Sequence, residues 1–126
     1  MNVLLVAGTR IVVLALVFYS IAIITEQRKK VVNNIVISFL TLGIIFDITA
    51  TAFMIAGSNN SPFTLHGILG YSSLAAMLLD TILMWRHRIK NGISGIVPAR
   101  LHVYSRYAYI WWVLAFITGA LLVLFK

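Results

Sequence analysis

Hydrophobic residues gather into four long runs, at residues 3–25, 35–56, 63–85 and 107–125, separated by short polar stretches. Each run approaches the about 20 residues that a helix needs to cross the hydrocarbon core of a bilayer. Within the third run, polar and special positions recur in steps of four and three: His66, Gly70, Ser73, Met77, Asp80 and Met84. A helix turns once in about 3.6 residues, so these positions share one face while Leu, Ile and Ala cover the rest. In apolar surroundings such a face turns to the interior of a bundle. The fourth run carries a comparable stripe of His102, Ser105, Tyr109, Trp112, Phe116 and Gly119. The pattern predicts an all-α membrane protein, an up-down bundle of four transmembrane helices forming a single domain over residues 1–126.

Turn residues mark the joints. Ser58, Asn59, Asn60, Ser61 and Pro62 join antiparallel second and third helices. Asn91 and Gly92 through Pro98 form one longer connection, and residues 99–105 read as a short interfacial helix ahead of the fourth span. The first run is not a cleaved signal peptide, because its basic cluster follows the apolar stretch and no small-x-small cleavage site is evident.

Composition sharpens the class. Hydrophobic residues make up 61% of the chain and charged ones 10%, which leaves no room for a soluble domain. Arg28, Lys29 and Lys30 follow the first span, while Arg86, Arg88, Lys90, Arg100 and Arg106 flank the connection between the third and fourth. The opposite side has only Lys126. By the positive-inside rule both termini lie outside and the basic loops face the cytoplasm. The pI near 10.3 therefore reports topology and contact with anionic lipids at that face, not nucleic-acid binding. The bias also excludes a dual-topology multidrug transporter, whose loops must balance. Without cysteine, disulfides, thiolate-ligated haem and cysteine-held iron–sulfur clusters are excluded within the chain.

Two acids fall within the runs. Arg10 lies about 10 Å and Asp47 about 14 Å from the outer ends of their helices, at 1.5 Å per residue. Matching depth makes them candidate ion-pair partners; a proton- or cofactor-linked site, with Arg10 neutralising a haem propionate, is the functional alternative. Asp80 lies near the cytoplasmic end of its helix, where Arg106 is its expected partner.

The histidines divide by depth. His66 is on the outer side, and His87 and His102 are on the cytoplasmic side. His66 and His102 are separated by about 25–30 Å of helix rise and cannot ligate one metal together. Met54, seven residues beyond Asp47, is the candidate partner of His66 as an axial haem ligand. The plainer alternative makes His66 an interfacial histidine and Met54 core filling. Trp85, Tyr104 and Tyr107 mark the cytoplasmic interface, whereas Trp112 either walls a flat cofactor or fills the core.

Residues 14–19 (Leu-Ala-Leu-Val-Phe-Tyr), the stretch from Asp47 to Met54, residues 63–70 (Phe-Thr-Leu-His-Gly-Ile-Leu-Gly) and the start of the fourth span around His102 resemble the HsmA family. Those are small four-helix bacterial membrane proteins associated with haem sensing and haem binding. The resemblance extends over nearly the whole chain. It implies haem as ligand and a part in haem sensing or buffering rather than a reaction, with Asp47, Met54, His66, Gly67, Gly70 and His102 at matching positions. Asp80 departs from the pattern, since relatives tend to have histidine there. The resemblance thus favours an outer haem site at His66 and Met54 over an inner one.

The rival reading is a non-catalytic accessory subunit of a larger membrane complex, or a homo-oligomer, packing through Gly43, Ala50, Ala52 and Ala56. An enzyme is not expected. Three acids and three histidines at different depths assemble no nucleophile, base and orienting group.

Overall fold

A computed structural model describes residues 3–57, 65–93 and 95–124, without the side chains of residues 4, 5, 57, 65, 66 and 122–124. It contains four helices, α1 (Val3–Lys29), α2 (Asn34–Gly57), α3 (Leu65–Asn91) and α4 (Ala99–Leu124). Three of them contain stretches long and apolar enough to cross a membrane: Val6–Lys29, Asn34–Ala56 and Gly67–Asn91. α4 is not among these. It is 26 residues long, and this holds for the described residues alone. Residues 99–105 do not form a separate interfacial helix; they are the first turns of α4 itself.

Local chemistry sets the helix ends. Lys30 takes a left-handed φ of 58° and stops α1, its N–H closing onto Glu26 O at 2.7 Å. Gly92, at φ 74°, does the same for α3 without steric cost. Asn33 caps α2, its Oδ1 accepting from Val36 N at 2.9 Å. Pro98, which cannot continue a preceding helix, begins α4 by accepting from His102 N at 2.9 Å.

The two connections on the basic end are tied together. Val31 and Ile96 form an antiparallel bridge, and Val97 N donates to Lys30 O at 2.7 Å. Arg88 reaches across from α3 to Val32 O and Asn34 Oδ1, at 3.1 and 2.7 Å. His87 is held there as well. Its Nε2 donates to Gly95 O at 3.0 Å, and Asn91 Nδ2 lies 3.1 Å from its Nδ1.

Around the bundle the helices neighbour one another in chain order, α1–α2–α3–α4–α1. The closest approach is between α1 and α2, where Gly43 makes room for the ring of Tyr19. A Cβ at Gly43 would lie 2.5 Å from Tyr19 Cδ1, so only glycine fits. The core comprises Ala15, Tyr19, Ala22, Leu40, Ile44, Met77, Met84 and Trp112. Large apolar side chains also cover the outside, among them Val17, Ile24, Ile45, Ile48, Leu79, Ile82, Leu114 and Ile117. On a water-soluble protein such a surface would aggregate; against lipid tails it is the expected solvent-facing side.

Candidate functional site

All three acidic residues of the chain lie inside it: Glu26 and Asp80 are 0% and Asp47 4% exposed. The described Lys and Arg side chains are exposed, apart from half-buried Arg88. Among the described residues no acid pairs with a Lys or Arg; the one close acid–base contact joins Glu26 to the His102 imidazole. The interior thus holds carboxyls in the company of neutral donors. Such groups are rare within membrane spans.

A single face of α4 serves all three acids. His102 Nδ1 lies 2.7 Å from Glu26 Oε2 on α1. Ser105 Oγ donates to Asp80 Oδ2 on α3 at 3.0 Å. Trp112 Nε1 crosses the centre of the bundle to Asp47 Oδ2 on α2 at 2.8 Å. Tyr109, on the same stripe, bonds Ser20 of α1 at 2.6 Å. The interior stripe expected for α4 is therefore the element that gathers the chemistry of the other three. The stripe of α3 faces inward too, with Ser73, Met77, Asp80 and Met84 all buried; the side chain of His66 lies outside the described residues.

The Glu26–His102 pair belongs to a closed ring of four side chains. Glu26 Oε1 accepts from Gln27 Nε2 at 2.9 Å, and Gln27 Oε1 accepts from Arg106 Nε at 2.9 Å. Arg106 Nη2 completes the ring with a long contact of 3.5 Å to His102 Nε2. A guanidinium only donates, so the tautomer that suits both neighbours carries its proton on Nδ1, facing Glu26, and its lone pair on Nε2, facing Arg106. An imidazole fixed through Nδ1–H by a carboxylate, with Nε2 free to bind, is the arrangement of a metal-ligating histidine. His102 keeps 12% of its side chain exposed, and Arg106 is exposed, so Nε2 is reachable once Arg106 turns aside.

At Asp47 the donors are Tyr19 and Trp112, both on Oδ2. Their rings meet edge to face, with centroids 5.0 Å apart, and Phe116 stacks on Trp112. The Tyr19 ring lies over Gly43 while its hydroxyl reaches Asp47, one turn further along α2.

Neither expected Lys/Arg ion pair forms. Arg10 is exposed and makes no pair with Asp47. Matching depth was not sufficient, because the nine residues from Arg10 to Tyr19 are two and a half helical turns, about 180° round. Tyr19 faces α2, so Arg10 faces away. Arg106 does not meet Asp80 either: it follows Ser105 by one residue, about 100° further round α4, and points to Gln27. Met54 lies against Gly8 of α1, where a Cβ on that glycine would stand 2.9 Å from Met54 Cγ. Its placement relative to His66 lies outside the described residues. Of the small residues expected to face a partner subunit, Gly43 and Ala50 are used within the chain against α1, and Ala52 and Ala56 are exposed.

Glu26 is the residue that sequence reasoning missed. Its signal was present in Ala15, Tyr19, Ala22 and Glu26, spaced four, three and four apart on one face. Among the described residues no three His, Cys, Asp or Glu side chains converge to hold a bare metal ion. Haem carries its own four nitrogen ligands and needs one or two from the protein, so this donor set is compatible with haem. No family model, characterised protein or solved structure matches the chain.

Proposed function

We propose that this chain is a haem-binding protein of the bacterial cytoplasmic membrane, acting in haem sensing or buffering rather than catalysis. The observation that carries the reading is the 2.7 Å bond from His102 to Glu26, which leaves one imidazole nitrogen available to iron. The likeness of residues 14–19, 47–54 and 63–70 and of the region around His102 to the HsmA family supports haem as the ligand, although on its own it favours the His66 end. His102 is the ligand, Glu26 its orienting carboxylate, and Arg106 the charge available to a propionate. Bound haem supplies an iron centre with open redox chemistry; the chain's own part is to hold and orient the imidazole. His66 with Met54 is the second candidate ligand set, at the opposite end.

In this reading α4 is the fourth span. The basic residues Arg28, Lys29, Lys30, Arg86, Lys90 and Arg100 face the cytoplasm and anionic lipid headgroups, with both termini outside. Addition of ferric haem to purified protein in detergent tests the assignment. A Soret band displaced from that of free haem supports it. A colourless protein that co-purifies with other membrane subunits supports the accessory-subunit reading instead.

A further inference from the structure

Asp80 is the acid with the fewest donors around it. It is fully buried, its Oδ2 accepts from the neutral hydroxyl of Ser105, and its Oδ1 has no hydrogen-bond partner among the described residues. Glu26 and Tyr19 of α1 and Tyr104 of α4 lie within electrostatic reach of it. From α2 the one titratable side chain is Asp47, already held by Tyr19 and Trp112. On α3 itself His87 is occupied by Gly95 and Asn91. The two basic groups nearby are spoken for: His102 binds Glu26, and Arg106 is exposed and bound to Gln27. Among the described residues the groups within electrostatic reach of Asp80 are thus acidic or neutral.

An ionised carboxylate in that position would have one neutral hydrogen bond, an uncompensated oxygen and a second acid nearby. Such a charge is expensive in a membrane interior and is normally paired or neutralised. A protonated carboxyl avoids the charge and leaves only a neutral hydroxyl unpartnered, a far smaller cost.

We propose that Asp80 is a proton-binding site, in which a proton taken from the aqueous medium onto Oδ1 occupies the place of the cation that α4 does not supply. Oδ2 remains the acceptor for Ser105. The assignment is independent of haem.

Asp47 and Asp80 are the only aspartates of the chain, so carboxyl-labelled aspartate reports on Asp80 alone in the Asp47→Asn variant. Infrared spectra of that labelled protein at neutral pH, in lipid, should show the isotope-shifted carbonyl stretch of a carboxylic acid. In labelled wild-type protein Asp80→Asn should remove the Asp80 part of that band, seen as a difference from wild type, which keeps the test available if Asp47→Asn does not fold. The antisymmetric stretch of a carboxylate at Asp80 would overturn the proposal. So would a carboxylate band that shifts when sodium is replaced by choline, because the site would then hold a metal cation.

Discussion

His102 of α4 and Glu26 of α1, 76 positions apart in the chain, meet through a 2.7 Å bond from Nδ1 to Oε2. The contact fixes which nitrogen of the imidazole is free. Glu26→Gln keeps the shape but weakens the hold on Nδ1–H. If His102 is the iron ligand, haem affinity should fall about 10–100-fold, as for other partners of ligating histidines. Glu26→Ala should lower it further. Spectrophotometric titration checks both, and affinities equal to wild type would detach Glu26 from the site.

The Tyr19–Gly43 contact makes a second prediction. Gly43→Ala puts a methyl group where the Tyr19 ring stands and should destabilise the bundle by about 1–3 kcal/mol. Thermal unfolding in detergent measures it. Unchanged stability would mean that α1 and α2 separate at no cost.

Tyr19 and Trp112 donate to the same oxygen of Asp47, so their losses should not be additive. Each of Tyr19→Phe and Trp112→Phe should cost about 1–3 kcal/mol, with a coupling of at least about 0.5 kcal/mol in the double-mutant cycle. Arg10→Gln, by contrast, should change stability by no more than about 0.5 kcal/mol, since its side chain is exposed. A large loss there would restore the ion pair with Asp47.

Periodicity made the inward faces of α3 and α4 legible, because side chains spaced three and four apart share a face whatever they later touch. Partners were less legible. The pairings Arg10–Asp47 and Asp80–Arg106 rested on opposite charge and equal depth, and a helix also has an angular coordinate that depth does not contain. Glu26 was missed because the apolar run ends at Thr25, whereas α1 continues to Lys29 and carries the face of Ala15, Tyr19 and Ala22 one turn further. Gly43 reads from sequence as a surface for another subunit; only the position of the Tyr19 ring shows that the slot is already filled.

Orientation is open to a direct test. Reporter fusions after Lys126 should read as external and insertions at Gly92 as cytoplasmic, given the basic residues on the two joined connections. The opposite pattern would invert the bundle.

Haem binding at His102 is the central claim, and parallel Soret titrations of wild type, His102→Ala and His66→Ala test it most directly. The wild type should take up haem, His102→Ala should lose the displaced Soret band, and His66→Ala should retain it. Loss in His66→Ala with retention in His102→Ala would move the site to His66 and Met54. No uptake by the wild type would contradict haem binding altogether.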